Sequence, residues 1–265
     1  MIRVSANLST MFAEFPFLGR FEQAAKSRFE GVEFWFPYQW AIDEIAEQLT
    51  KHSLEVVLHN LPPGDWEAGD RGIACVPGRE DEFHESLGLG IKYAKALGCQ
   101  RLHCPVGVAH PEFPEEISHM TLVENLRFAA EATEREGIRL LIEALNSERF
   151  PGFYLTHTRQ AVELIKEVGS DNLQVLYDTF HMQIMEGNLT STILNSLSYI
   201  GHIQIADNPG RHEPGTGEIN FENLLRFIDE AGYDGWIGCE YIPVETTIDS
   251  LKWAEPYLKY KTGQR

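Results

Sequence analysis

The feature that most constrains this chain is an eightfold alternation between short apolar runs and longer amphipathic stretches. The apolar runs, rich in Val, Ile and Leu, predict β-strands at residues 2–7, 31–36, 54–59, 101–106, 139–143, 173–178, 201–205 and 236–240. The stretches after them have helical periodicity at residues 17–27, 42–52, 80–97, 120–136, 158–168, 189–197, 221–231 and 248–258. Eight strands, each followed by a helix, are the number that closes a parallel barrel. We therefore expect a (β/α)8 TIM barrel of the α/β class, with residues 1–265 as a single domain.

The competing architecture is an open, doubly wound parallel sheet. Its usual fingerprint, a G-x-G-x-x-G turn after the first strand, is missing from this sequence. The length of 265 residues also suits a barrel, which typically takes about 250 residues. The pattern therefore favours the closed barrel.

Composition argues against several classes of function. The 22 Lys and Arg residues against 40 Asp and Glu give a net charge of −18, which repels phosphodiester backbones, so we expect no nucleic-acid partner. The apolar runs are shorter than the ~18–20 residues of a bilayer span, and the first residues do not resemble a signal peptide. The four cysteines form no C-x-x-C pair. We expect a soluble cytoplasmic protein without membrane contact, disulfides or structural zinc; a homo-oligomer is left open.

Two connections are longer than joining two elements requires. The 20-residue segment 60–79 follows the third predicted strand and is rich in Pro and Gly, and segment 206–220 follows the seventh. Loops of this length in a compact domain are commonly binding loops or lids. In a barrel both would emerge at the carboxyl ends of the strands, where such folds keep their chemistry. We expect both loops to border a functional site, although a plain insertion is the simpler alternative.

Four polar residues stand at the ends of consecutive strands, where the apolar runs stop. They are Glu143, Asp178, Gln204 and Glu240. Their strands are the fifth to the eighth, so these side chains should lie side by side at the barrel mouth. Carboxylates held together in a half-buried site repel one another unless a cation joins them. Three carboxylates and one amide oxygen favour Mg²⁺ or Mn²⁺ over zinc.

A single acid after a strand has a simpler explanation, since such residues often cap the following helix. Asp178, directly before Thr179, resembles a helix cap most closely. Four polar residues at equivalent strand ends are much harder to attribute to capping. The set as a whole therefore predicts a metal site.

Three further residues are candidates for binding a substrate. His181 follows Asp178 by three residues, and His59 ends the third strand. Arg211, in the glycine-rich seventh loop, is a cation close to an otherwise acidic site, where it could grip the carboxylate of an anionic substrate. Each has a bland alternative, a buried hydrogen-bonding histidine or a solvated loop arginine. His103, on the fourth strand, we interpret as barrel filling.

The residues resemble the xylose-isomerase-like TIM-barrel superfamily over nearly the whole chain. The similarity is carried by SANLS (5–9), GVEF (31–34), FPY (36–38), HNLP (59–62), GDW (64–66), RGIAC (71–75), PGRE (77–80), LVENLR (122–127), QIADN (204–208), EPGTGEIN (213–220) and GWIGCEY (235–241). The last three blocks are specific. Within the superfamily, the chain is most similar to the hydroxypyruvate isomerase branch.

This resemblance implies a TIM barrel and an isomerisation of hydroxypyruvate to 2-hydroxy-3-oxopropanoate (tartronate semialdehyde) through a metal-stabilised enediolate. It implies that Glu143 and Glu240 are the proton donor and acceptor, and that Asp178 and Gln204 complete the coordination of a divalent ion. The expected partner is a small anionic 2-oxo acid. The segments at 143–147 and 178–181 also resemble those of relatives that isomerise 2-oxo-tetronates, so the resemblance leaves open a substrate of three or of four carbon atoms.

Two alternatives come from other classes of function. Zinc-dependent apurinic-site endonucleases share this barrel, but they need several histidine ligands and a basic face. Here Gln204 stands where such a histidine would be, and the net charge of −18 opposes DNA binding. A non-catalytic protein that binds sugar acids would have no need for an intact pair of glutamates.

Overall fold

A computed structural model gives the fold and describes residues 2–258. Its strands form one closed parallel barrel in the order β1 to β8. The strands are β1 (Arg3–Asn7), β2 (Gly31–Phe34), β3 (Glu55–Asn60), β4 (Arg101–His103), β5 (Arg139–Glu143), β6 (Leu173–Asp178), β7 (Ile200–Ile205) and β8 (Trp236–Cys239). The helices are α1 (Phe17–Lys26), α2 (Ile42–His52), α3 (Glu80–Leu97), α4 (Glu115–Glu134), α5 (Thr158–Val168), α6 (Thr179–Met185), α7 (Leu189–Ser196) and α8 (Phe221–Glu230). The predicted (β/α)8 barrel is confirmed; residues 1 and 259–265 of the predicted domain lie outside the described residues.

Two helical segments differ from the expectation. Helix α6, directly after β6, was not predicted; Asp178 caps it by accepting a hydrogen bond from the backbone N–H of Phe180 at 2.8 Å. The helix predicted at 248–258 is instead a short 3-10 helix, Asp249–Ala254. Pro256 lacks a backbone N–H and disfavours α-helical backbone at the residue before it, which ends the helix early.

Helix and strand ends differ for similar local reasons. Helix α4 begins at Glu115, directly after Pro114, with two glutamates in its first turn, where they meet the positive end of the helix dipole. Strand β4 ends at His103 rather than at residue 106, because Pro105 has no N–H to donate to a neighbouring strand. The chain therefore leaves the barrel earlier after β4 than expected.

Apolar side chains fill most of the barrel and the layer between barrel and helices. A large cluster of buried residues extends through strands and helices alike, and a smaller one joins Val57, Leu58, Leu141, Leu176 and Trp236. Burial of this surface is the main source of stability in a domain of this size. Among the described residues, no helix is long and apolar enough to cross a membrane.

Candidate active site

The barrel mouth brings together all four polar residues that end the strands. Asp178 on β6 and Gln204 on β7 are register partners in adjacent strands, Glu143 ends β5, and Glu240 directly follows β8. All four are buried. Glu143, Gln204 and Glu240 line a cavity of about 120 Å³. Pockets for drug-sized ligands are ~300–1,000 Å³, so this cavity suits a molecule of only a few carbon atoms.

Arg211 lies among these carboxylates. Its Nη2 donates to Glu240 Oε1 at 2.5 Å and to Asp178 Oδ2 at 3.3 Å. The residue is buried and adopts a left-handed backbone with φ of 64°, which is uncommon for a residue other than glycine and is typical of functional sites. Arg211 thus joins two acids from opposite edges of the β6–β8 arc, while also lining the cavity.

The loop after β7 presents Arg211 because Asp207 organises it. The Asp207 carboxylate accepts hydrogen bonds from the backbone N–H groups of Gly215 and Gly217, each at 2.9 Å, and of Ile219 at 3.1 Å. Its backbone carbonyl accepts from the Arg211 N–H at 3.1 Å. The hydrogen bonds of this one carboxylate therefore hold the backbone of a long loop that has no regular secondary structure.

The three mouth carboxyls resist ionisation to different degrees. Burial raises the pKa of Glu143 well above its usual value, and the negative charges of Asp178 and Glu240 raise it further. Burial raises the pKa of Glu240 to about 8, although Arg211 acts in the opposite direction. Burial also raises the pKa of Asp178 against the effect of Arg211. Two carboxyls poised above their ordinary pKa at one cavity are suited to giving and taking protons.

A further buried acid, Glu33, lies deeper in the barrel and was not predicted as a site residue. It is on β2 but accepts hydrogen bonds from β7, from His202 Nε2 at 2.9 Å and Gln204 Nε2 at 2.7 Å. Since β2 and β7 are not neighbours, these contacts run through the barrel interior. Burial alone would raise the pKa of Glu33, but His202, Gln204 and Ser5 together lower it.

The inner acid is connected to the mouth by amides. Asn7 Nδ2 donates to both Glu33 Oε1 at 3.2 Å and Glu240 Oε2 at 2.9 Å, and Gln204 Nε2 likewise donates to both. Space for Glu33 comes from Gly238, where a Cβ atom would approach the Glu33 carboxylate oxygens to 2.4 Å. Two amide side chains therefore fix Glu240 on the face opposite Arg211.

His181 lines the cavity from helix α6. Its Nδ1 accepts a hydrogen bond from the backbone N–H of Asn146 at 3.0 Å, and its Nε2 lies 3.6 Å from Asp178 Oδ2. Burial, Arg211 and Arg149 lower the pKa of His181 well below its usual value. Because Nδ1 is an acceptor, the neutral ring carries its proton on Nε2. Nε2 is therefore a hydrogen-bond donor that faces Asp178.

His59 and His103 differ from their predicted roles: His103 lines the cavity and His59 does not. His59 is fully buried and does not line the cavity; it contacts Tyr38 and the carbonyl of Asn60, which does. His103, interpreted from the sequence as barrel filling, lines the cavity with Nε2 at 3.5 Å from Glu143 Oε2. Burial lowers the pKa of His103 to about 3. No local pattern indicates this, because His103 lies in an ordinary apolar run.

The loop at 60–79 covers part of the mouth, as expected of a lid. It contributes Trp66 and Arg71 to the cavity, which Trp35 and Phe36, directly after β2, also line; the Trp66 and Phe36 ring centroids are 5.7 Å apart. The Arg71 guanidinium lies over the Trp66 ring at 3.8 Å from its centroid. Arg71 was not singled out from the sequence, where an arginine in a polar loop looks like any solvated residue.

The donor set at the mouth fits a divalent cation. Glu143 and Asp178 offer buried carboxylate oxygens that lie, together with a His181 ring nitrogen, within 4.8 Å of one another. When ionised, Glu143, Asp178 and Glu240 carry three negative charges, and Arg211 offsets one of them. The negative charge that remains is the amount that one divalent cation balances, and carboxylate oxygens suit hard cations. The buried group can therefore hold a metal ion.

Comparison with known proteins agrees with this geometry. The xylose isomerase-like TIM barrel family matches residues 21–257. The chain is 54% identical to hydroxypyruvate isomerase of Escherichia coli, over 97% of this chain and 100% of that protein. It is 43% identical to 2-oxo-tetronate isomerase of Cupriavidus necator, over 97% and 99% respectively.

A solved structure is also similar along nearly the whole chain. It is described as an AP endonuclease, family 2, from Brucella melitensis, and it superposes with a TM-score of 0.96 at 44% sequence identity. The match covers 98% of this chain and 100% of that one. The backbone of the barrel and its long loops is therefore shared with that protein.

Proposed function

The chain belongs to the xylose isomerase-like TIM barrel family and is an isomerase, and we propose that it interconverts hydroxypyruvate and 2-hydroxy-3-oxopropanoate. The observation that carries this proposal is the pair Glu143 and Glu240, two buried carboxyls with raised pKa on one small cavity. An isomerisation of this kind moves one carbon-bound proton between adjacent carbons. It therefore needs one group to take a proton and another to return one.

The proposed cofactor is Mg²⁺ or Mn²⁺, held by Glu143, Asp178, Gln204 and Glu240. When bound, such an ion would draw electron density from the carbonyl and neighbouring hydroxyl oxygens of the substrate. It would thereby acidify the hydrogen on the carbon that carries the hydroxyl group. The oxygen-rich donor set supports this choice over zinc. Arg211 would remain as the fixed positive charge beside Asp178 and Glu240.

The protein's own groups move the protons. One glutamate takes a proton from the hydroxymethyl carbon of hydroxypyruvate, and the electrons of that C–H bond become the double bond of an enediolate. The other glutamate delivers a proton to the former carbonyl carbon. The hydroxyl oxygen becomes the new aldehyde carbonyl, and its proton passes to the former carbonyl oxygen. Glu143 ends β5 and Glu240 directly follows β8. Because these strands are three positions apart in the ring, the two carboxyls would approach the substrate from different sides.

Three residues predicted to bind substrate receive different parts in this proposal. His181, with its proton on Nε2, would donate a hydrogen bond to a substrate oxygen. Arg211 would contribute its charge while paired with Asp178 and Glu240. His59 would act through Asn60, whose backbone carbonyl it contacts and which lines the cavity. The lid loop would exclude water from the reactive enediolate.

A proton NMR assay in D₂O tests the function. Hydroxypyruvate would be offered to the wild type and to Glu240→Gln in the presence of Mg²⁺ or Mn²⁺. We expect conversion with deuterium uptake in the wild type, lost in the variant. Glu148→Gln is the matched control, since Glu148 is exposed only five residues from Glu143 and should leave the rate unchanged. A wild type that neither converts hydroxypyruvate nor incorporates deuterium contradicts the proposal.

The second candidate is a 2-oxo-tetronate isomerase, which the relative in Cupriavidus necator favours. The same assay with a four-carbon 2-oxo-tetronate separates the two candidates. A higher kcat/KM for the four-carbon acid would keep the proposed proton transfers and change the substrate. The cavity volume of about 120 Å³ favours the smaller acid.

An endonuclease remains an alternative because of the description attached to the Brucella structure. Against it stand the net charge of −18 and an amide, Gln204, at a strand end of the site. Zinc content by elemental analysis and cleavage of an abasic duplex are the tests, and a trinuclear zinc count would revive this alternative.

The proposed setting is the cytoplasm. The four cysteines are buried free thiols, which is typical of proteins from reducing compartments. The oligomeric state is left open, and sedimentation velocity would determine it.

A further inference from the structure

The proposed substrate carries a carboxylate, which needs a positive partner in a cavity lined by acids. Among the described residues, the cavity is lined by two arginines, Arg71 and Arg211, and two histidines, His103 and His181. Both histidines already face mouth acids, His103 Nε2 at 3.5 Å from Glu143 Oε2 and His181 Nε2 at 3.6 Å from Asp178 Oδ2. Arg211 is already paired with Asp178 and Glu240. Arg71 is therefore the remaining cation on the cavity wall.

The Arg71 guanidinium is held in place but its charge is not neutralised by an ion pair. Its Nη1 donates to the backbone carbonyls of Trp66 at 3.0 Å and Asp70 at 2.6 Å, and its plane lies over the Trp66 ring. Within residues 2–258, no carboxylate lies within ion-pair distance of Arg71, and its Nη2 and Nε have no hydrogen-bond acceptor. The carboxylate of Asp70 is instead paired with Arg79, at 2.8 Å.

The chain beside Arg71 is attached firmly to the barrel. Gly72 donates its N–H to the Pro63 carbonyl at 2.8 Å and bridges to Val106, beyond the end of β4. Its φ is 108°, and a Cβ atom there would lie 1.9 Å from the Pro105 carbonyl oxygen. Only glycine allows this close approach. Arg71 is thus placed at the cavity by the fold rather than by a freely moving loop.

We propose that Arg71 binds the carboxylate of the substrate and selects 2-oxo acids over uncharged ketoses of the same size. The inference rests on the proposed function and names the residue that recognises its substrate class. A guanidinium with one edge held by backbone carbonyls keeps its other N–H donors for a planar, bidentate contact with a carboxylate. Stacking on Trp66 fixes the plane of that contact before substrate arrives, which lowers the entropic cost of binding.

The test compares hydroxypyruvate with dihydroxyacetone, in which a hydroxymethyl group replaces the carboxylate. For Arg71→Met we expect the KM for hydroxypyruvate to rise about 30-fold, as for loss of a hydrogen-bonded charged group. The inhibition constant of dihydroxyacetone, used as a competitive inhibitor of hydroxypyruvate turnover, should change less than about twofold because that molecule has no carboxylate. Arg71→Lys keeps the charge but not the fork, and should fall between wild type and Arg71→Met.

Arg79→Met is the matched control, because Arg79 is a cation at the end of the same loop that pairs with Asp70 and Glu82. It should leave the ratio of the two constants unchanged. Equal weakening of both compounds by Arg71→Met would assign Arg71 to ordering the lid, and an unchanged KM would remove it from substrate binding; either result overturns the inference. A wild type that does not turn over hydroxypyruvate would instead contradict the proposed function.

Discussion

Glu33 and Glu143 are two buried glutamates of one barrel whose surroundings have opposite effects. Both lie on strands and are almost inaccessible to solvent. Glu33 accepts hydrogen bonds from Ser5, Asn7, His202 and Gln204, and its pKa is lowered. Glu143 faces Asp178 and Glu240, and its pKa is raised well above the usual value. Burial is the same in both cases, so the partners decide which form of the carboxyl is stable.

The difference distinguishes a carboxylate that the fold satisfies from carboxyls that the fold leaves under repulsion. A hydrogen-bonded buried carboxylate contributes to stability when its partners are present. A group of mutually repelling acids costs stability and persists where function requires it. We therefore expect substitutions in the two places to change stability in opposite directions.

The largest expected effect is on activity at the mouth. Glu143→Gln should lower kcat/KM by about 10³-fold, within the range for loss of a general acid or base. The same variant should be more stable than the wild type by about 1 kcal/mol in the metal-free state. Burial and the neighbouring acids disfavour the ionised form of Glu143, and a neutral amide avoids that cost. Steady-state kinetics and urea unfolding in the presence of a chelator measure both quantities. A variant that is less stable than the wild type would remove the proposed difference from Glu33.

The converse substitution is Glu33→Gln. A buried hydrogen-bonding group left without its partner typically costs about 1–3 kcal/mol. Because Glu33 accepts from several buried donors, we expect a loss of about 3 kcal/mol in the free energy of unfolding. Gly238→Ala is an independent second variant, since its new Cβ would press on the same carboxylate. Urea titration of both, with Glu148→Gln as the control, tests this expectation. If both variants are as stable as the wild type, the hydrogen bonds around Glu33 do not contribute to the free energy of unfolding.

The third expectation concerns the ion. Mn²⁺ or Mg²⁺ at about 100 times its dissociation constant should stabilise the wild type by about 2.7 kcal/mol, since it binds only the folded state. Asp178→Asn should lose most of this stabilisation, whereas Glu148→Gln should keep it. Urea unfolding with each ion and with chelator also ranks the two metals. Equal stabilisation of Asp178→Asn and wild type would place the ion outside the mouth.

The mouth could be predicted from the sequence and the inner network could not, for a physical reason. Each mouth residue stands at or near the end of an apolar strand. Parallel strands in a barrel bring their carboxyl ends together, so polar residues at several strand ends are predicted to lie close to one another. Glu33 lies inside its strand, and its main partner, His202, is 169 positions away. That contact depends on the closure of the ring, which no local pattern encodes.

Asp178 shows that capping a helix leaves the second carboxylate oxygen free for another contact. Its Oδ1 caps helix α6, as the sequence indicated for a lone acid after a strand, while its Oδ2 faces Arg211 in the site. The short helix itself was missed because seven residues are too few to show a helical period. Arg71 was missed because its proposed role as the substrate-binding cation depends on Arg211 being already paired with Asp178 and Glu240. That pairing exists only in the folded site.

The smallest expected effect comes from a buried group with no carboxylate partner, and it isolates burial from charge. Burial lowers the pKa of His59 from 6.5 to about 4. Between these values the unfolded chain binds a proton that the folded chain does not, so His59 makes the free energy of unfolding fall as pH falls from 6.5 to about 4. At pH 5.5 the wild type should have lost about 1 kcal/mol from this source. His59→Leu should have a flatter pH profile of urea unfolding, whereas His110→Gln, on an exposed loop, should follow the wild type; equal slopes in all three proteins would mean that burial alone does not keep His59 neutral.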